Sequence, residues 1–334
     1  MFKRISYYLP TLGQSWLIVL IFLFGGGILA AVIAAPLISI FPNFQEWQNL
    51  VIYPLSFIPV VIFIYFMIRD RWQKGAIVVY RRKFLIDKTT QANNDNIPAT
   101  EEPVSTTIPT TIKEVMQIVP DSEIEASLPN IPINRANFGK LGIPLTFILL
   151  IPLTLSLSII VEPIMNWWEM PDWIKNLFES LMTGNIVAAT LTVAVMAPLL
   201  EEWMCRGIIM RGLMYHTGPI IAILWSAFIF GFMHFNPWQG VPAFFLGILF
   251  GWIYWRTRSL WAPIFMHFVN NGTSVLLTIL YPNLPMDFTL RDMIPGSQYF
   301  IVYIAAIVIS VAIILLMHKK YDKPIIPDKV PADT

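Results

Sequence analysis

The sequence predicts an all-α, polytopic membrane protein of about eight transmembrane helices with a polar site inside the bundle. Three observations predict it. Hydrophobic residues make up 56% of the 334 positions and charged residues only 13%, about half the ~25% of soluble chains. Apolar runs long enough to cross a bilayer recur along the chain. The charges between those runs alternate in character from loop to loop, as cytoplasmic enrichment in Lys and Arg requires.

The spans follow in order, with rough limits Trp16–Phe41, Leu50–Ile68, Leu141–Val161, Ile186–Met214, Pro219–Phe235, Val241–Trp255, Leu260–Tyr281 and Tyr299–Met317. Lys3 and Arg4 put the N-terminus inside. The first run is longer than a signal-peptide core of ~7–15 residues and reads as a retained span. Glu46 alone marks the first connection, which is outside, whereas Arg69, Arg71, Lys74, Arg81, Arg82 and Lys83 mark the second as inside. Glu162, Glu169, Asp172, Lys175 and Glu179 make the third outside; Arg206 with Arg211, then Arg256 with Arg258, lie inside; Lys319, Lys320 and Lys323 end the chain inside. Both termini are therefore expected in the cytoplasm. The divisions are residues 1–69 (two spans), 70–140 (a cytoplasmic insert), 141–318 (the core) and 319–334 (a short tail). Thr89–Thr111, rich in Thr, Asn, Pro and Glu, reads as disordered, and Val115–Val119 as a short element.

Composition also excludes functions. A net charge of +1 offers no basic surface for nucleic acid. A single cysteine, Cys205, excludes an internal disulfide and cysteine-cluster metal sites. No feature sets an oligomeric state. The partner expected from composition is membrane lipid.

Seven polar residues fall within the hydrophobic spans: Glu201, Glu202, Arg206, His234, His267, Asn270 and Asn271. An ionised group at mid-membrane costs at least about 2.5–3.5 kcal/mol, so such residues are usually paired and functional. Glu202 and Arg206 are one helical turn apart and can pair. Glu201 is rotated by about 100° and is left without a counter-charge. Pro198 just before it removes a backbone donor. His267 and Asn271 share one face of the seventh span. His234, with Phe230 a turn before it, ends the fifth, and Asn236-Pro237 permits an early helix end there. A carboxylate in low dielectric can take a proton from water, an imidazole can orient that water, and two donors on one face can hold an oxyanion. A second arrangement makes Glu201, His234 and His267 zinc ligands, although H-E-x-x-H is absent. Ser226 lacks a nucleophile-type turn, and Cys205 reads as inert. Gly247 and Gly251 read as close helix packing, and His216 and His318 as interfacial. A structural reading remains beside these, in which the polar cluster only holds a scaffold or immunity protein together; a proton-coupled transporter, without an obvious repeat, is weaker.

Glu201-Glu202-x-x-x-Arg206, Phe230-x-x-x-His234 and His267-x-x-x-Asn271, in this order on successive hydrophobic helices, resemble the CAAX-protease and bacteriocin-processing (CPBP, or Abi) family of intramembrane glutamic endopeptidases. Gly207 and Ser259–Pro263 extend the likeness, which covers about Ile186–Leu280. The resemblance implies that Glu201 activates water with His234, that His267 and Asn271 form the oxyanion hole, and that Glu202, Arg206 and Phe230 support the site. It implies hydrolysis of membrane-associated or lipidated peptide or membrane-protein substrates without a metal or other cofactor, in a bacterial cytoplasmic membrane. It also admits bacteriocin self-immunity without proteolysis as the alternative.

Overall fold

In the computed structural model, which describes residues 2–93, 111–165, 169–182, 185–283, 285 and 288–322, every regular element is helical. The contacts divide the chain into two units: residues 2–8 with the described part of 62–131, and residues 9–61 with the described part of 132–327.

The chain runs through α1 (Leu12–Ile40), α2 (Gln48–Leu55), α3 (Ile58–Asn93), α4 (Ile112–Ile118) and α5 (Asp121–Ser127). It continues through α6 (Gly142–Met165), α7 (Asp172–Met182), α8 (Ile186–Thr217), α9 (Pro219–Phe232) and α10 (Pro237–Thr257). The last elements are α11 (Trp261–Leu280), α12 (Leu290–Met293) and α13 (Gly296–Lys320).

Each of the eight expected spans has a helix, but among the described residues six stretches are long and apolar enough to cross a membrane. They are α1, Gln48–Lys83, Gly139–Ile164, α8, α11 and α13. The expected count of about eight is therefore not reached on length and apolarity. The 14-residue α9 spans about 21 Å at 1.5 Å per residue, short of the ~30 Å hydrocarbon core. α10 carries Gln239, Pro242 and Arg256 along its length. The outward faces of the long helices are apolar: Phe24, Ile28 and Val32 on α1 and Phe300, Ile301 and Val308 on α13 are all largely exposed. Lipid is the solvent that suits such faces.

In the first unit, α3 passes residue 69 without a break and continues to Asn93. Basic residues there mark a change of surroundings, but Lys, Arg and Gln are good helix formers and do not end a helix. The expected disordered stretch is helical as far as residue 93; residues 94–110 lie outside the described residues. α4 occupies the place of the short element, capped by Thr111. Trp72, Ala76, Val115, Val119 and Ile124 bury a small apolar cluster, edged by the Arg4–Asp121 and Lys83–Glu123 ion pairs.

The second unit holds the main core. α6, α10, α11 and α13 bury Leu150, Leu153, Leu246, Phe250, Met266, Ile313 and Met317 against one another. Gly218 at φ 91° ends α8, a backbone conformation that suits glycine, and Pro219 opens α9 at once. α9 and α10 approach closely through Gly231 and Gly240. A Cβ built on Gly231 would lie 2.5 Å from the Gly240 carbonyl oxygen, so neither backbone can give way without moving its helix. Gly231→Ala is expected to cost about 1–3 kcal/mol, the usual range for overpacking, read as lower thermal stability in detergent; Phe232→Ala on the exposed face serves as the comparison.

α12 is a single turn held by a reciprocal cap. Thr289 donates from its hydroxyl (2.7 Å) and its backbone N–H (2.9 Å) to the Asp292 carboxylate. The hydroxyl bond first, then the backbone bond, hold the Asp292 carboxyl below its ordinary value. Its ionised form is thus favoured by folding, so the cap is fully effective above about pH 3.9, the free Asp value. It weakens as pH falls through the lowered value. Amide protection at residues 289–293, taken relative to the intrinsic exchange rate at each pH, is expected to fall on acidification, and Asp292→Asn should remove the part of that fall that comes from the cap.

Candidate active site

α8 is the element that builds the site, and its local geometry is unusual. π-helical turns over Leu191–Met196 and Trp203–Met210 flank the short α-helical stretch Ala197–Glu202. Pro198 has no N–H to give the carbonyl four residues earlier, and the wider turn before it accommodates that loss. Wide turns of this kind frequently mark functional positions.

The two adjacent glutamates have different surroundings. Glu202 is fully buried and accepts from Arg206 Nη1 at 2.7 Å and from His267 Nδ1 at 3.1 Å. Arg206, also fully buried, donates through Nη2 to the Gly247 carbonyl at 2.9 Å. Its guanidinium sits 4.6 Å from the Phe230 ring centre and 5.5 Å from that of Phe250. Glycine at 247 matters because a Cβ there would come within 3.1 Å of Arg206 Nη2. The face expected to bring α10 close to another helix therefore also seats the guanidinium.

Glu201, with 12% of its side chain exposed, accepts from the Tyr53 hydroxyl of α2 through Oε1. Its Oε2 is buried with no hydrogen-bond partner among the described residues and lies 4.0 Å from His267 Nε2. His267 thus stands between the two carboxylates, one on each ring nitrogen, with Phe230 edge-on at 5.4 Å.

His234 lies just past the end of α9, in a turn where Phe235 takes the left-handed φ of 55°. The expected early helix end is present. Its Nδ1 donates to the Phe230 carbonyl at 2.9 Å, which in a neutral ring leaves Nε2 as the basic nitrogen. Among the described residues no hydrogen bond or ion pair joins His234 directly to Glu201. The two instead line the same cavity.

Asn271 is held at both ends of its amide. Nδ2 donates to the Val193 carbonyl at 2.9 Å, inside the first π-turn of α8. Oδ1 accepts from Asn270 Nδ2 at 3.1 Å, and Asn270 Oδ1 in turn lies 3.0 Å from the Ser158 hydroxyl of α6.

A cavity of about 610 Å³ collects these groups: Glu201, Phe230, His234, His267, Asn270 and Asn271 all line it, with Ser158, Glu162 and Gln239. Glu202 and Arg206 stand behind the wall. Cys205 and Ser226 are buried away from it, the Ser226 hydroxyl donating to the Cys205 carbonyl at 3.1 Å. Among the described residues no three His, Cys, Asp or Glu side chains converge as a metal-ligand set. Sequence reasoning missed Tyr53 and Ser158. A tyrosine in the second span reads as an interface anchor, and a lone serine in an apolar run usually bonds its own helix; Ser158 also reaches the Thr154 carbonyl.

Residues 183–273 match the family described as type II CAAX prenyl endopeptidase Rce1-like. The putative membrane peptidase YdiL of Bacillus subtilis (strain 168) is 33% identical over 86 residues, 26% of this chain and 35% of that relative. The membrane-embedded CAAX protease MroQ of Staphylococcus aureus (strain USA300) is 33% identical over 97 residues, 27% of this chain and 39% of that relative. The matched segment spans little more than a third of either relative. No solved structure matches the chain. The segment that carries the three motifs thus has the family likeness they suggested, on a multi-pass helical membrane protein.

Proposed function

We propose that this chain, with its Rce1-like segment at residues 183–273, is an intramembrane glutamic endopeptidase acting on membrane-associated or lipidated peptides. The observation that carries the reading is the sorting of the two carboxylates. Glu202 is neutralised by Arg206 behind the cavity wall, while Glu201 lines the cavity with His234, His267 and Asn271.

In this mechanism a water held between Glu201 and His234 attacks the scissile carbonyl carbon. Its proton passes to Glu201 Oε2 and later to the departing amine. The oxyanion is held by donors fixed in advance. Asn271 contributes its remaining amide proton, since Nδ2 already spends one on Val193. His267 contributes Nε2–H, which requires both ring nitrogens to carry protons because Nδ1–H is given to Glu202. No metal takes part. The Lys and Arg distribution supports both termini on the cytoplasmic side, and the bacterial relatives support a bacterial cytoplasmic membrane.

The test uses the full-length chain in liposomes, mixed with membrane proteins from cells lacking it. New peptide termini are expected with the wild type, with or without a zinc chelator, and not with Glu201→Gln. Termini that persist in Glu201→Gln, or that vanish with chelator and return with zinc, contradict the proposal.

A further inference from the structure

We propose that Tyr53 is a positioning residue of this site: its hydroxyl holds Oε1 of Glu201 and so leaves Oε2 as the oxygen that takes the proton of the attacking water. The inference rests on the reading of Glu201 as the base. It adds to the site a residue from α2, well outside the family-matching segment at 183–273.

The geometry treats the two carboxylate oxygens differently. Oε1 accepts from the Tyr53 hydroxyl. Oε2 is buried, has no hydrogen-bond partner among the described residues, and faces His267 Nε2 at 4.0 Å. The guanidinium nearest in sequence, that of Arg206, is committed to Glu202 and Gly247. Tyr53 therefore supplies the directional contact that Glu201, one residue from a charge-paired neighbour, otherwise lacks. A hydrogen bond to an ionised acceptor is shorter and stronger than a neutral one, so the Tyr53 hydroxyl holds Oε1 in preference to Oε2.

Tyr53 is itself held. Its carbonyl accepts from the Ser56 hydroxyl at 2.6 Å, and its ring packs edge-on against Phe57 at 5.7 Å. Phe57 in turn packs on Phe22 of α1 at 4.6 Å. The first two apolar segments thus orient the base through one hydroxyl. The phenol keeps its proton throughout, so the step adds nothing to the proton balance of hydrolysis.

The test is infrared difference spectroscopy on the full-length protein in lipid nanodiscs. The wild-type spectrum minus that of Glu201→Gln isolates the Glu201 carboxylate bands. Tyr53→Phe is expected to displace those bands. Fluorotyrosine at position 53, a stronger donor of nearly the same shape, is expected to displace them the opposite way. Bands that stay in place in both variants overturn the proposal, since a tyrosine that only fills space would leave them unmoved. In cells with matched protein levels, Glu201-dependent peptide termini should fall on the order of tenfold in Tyr53→Phe, the size of one hydrogen bond to a charged group. Unreduced termini in that variant also overturn it. If the wild type yields no Glu201-dependent termini at all, the base assignment fails and the role of Tyr53 fails with it, while the infrared bands still report whether the contact exists.

Discussion

Glu201→Gln is expected to lower peptide-bond hydrolysis by about 10²–10⁴-fold, the usual contribution of a general base, with little change in folding. Glutamine keeps the size of the side chain, and its amide oxygen can still accept from the Tyr53 hydroxyl that now binds Oε1. It cannot take a proton from water. The stability prediction follows from the same geometry: Arg206 is bound to Glu202 and His267 keeps its own bond to Glu202, so neither loses its main carboxylate partner when Glu201 is neutralised. Helical circular dichroism and melting in nanodiscs should match the wild type while turnover is lost. A variant that keeps its activity, or one that unfolds, contradicts this division of labour between the two glutamates.

Arg206→Met should have the opposite character, a loss of stability of about 3–5 kcal/mol, because it takes the guanidinium from a fully buried carboxylate, leaving only His267 Nδ1 to donate to it. Glu202 and Arg206 are both fully buried, and the guanidinium also binds the Gly247 carbonyl and two aromatic faces. Methionine fills much of the same volume, so packing loss is a small part of the effect. The double variant Glu202→Gln with Arg206→Met removes both charges and should recover much of the lost stability. Equal destabilisation by the single and double variants would place the cost in packing or in the Gly247 contact instead.

Local periodicity made part of this legible in the sequence. Residues four apart on a helix share a face whatever surrounds it, and Glu202 meets Arg206 as the spacing required, even through a π-turn. A helix end near His234 was legible because Asn236-Pro237 cannot simply continue a helix; α9 stops at Phe232. Other features depend on tertiary placement. Tyr53 reaches Glu201 across 148 positions of sequence, and nothing local marks that tyrosine among many aromatics. The partner of Asn271 is a backbone carbonyl in the π-turn of α8, and backbone bonding of this sort leaves no side-chain pattern. The span count differs at α9, which has 14 residues, and at α10, which carries Gln239, Pro242 and Arg256 along its length. The continuation of α3 to Asn93 is not marked in the sequence, since charge changes the surroundings of a helix without ending it.

The proposed role of Glu201 as the base for peptide-bond hydrolysis inside the membrane can be read in cells. Terminal-peptide proteomics of membranes from cells expressing wild type or Glu201→Ala at matched levels tests it most directly. A set of new termini in membrane-associated proteins is expected with the wild type and is expected to be absent with the variant. Identical terminal profiles, with the wild-type phenotype kept by the variant, would contradict it and assign the polar cluster to holding together a scaffold or immunity protein.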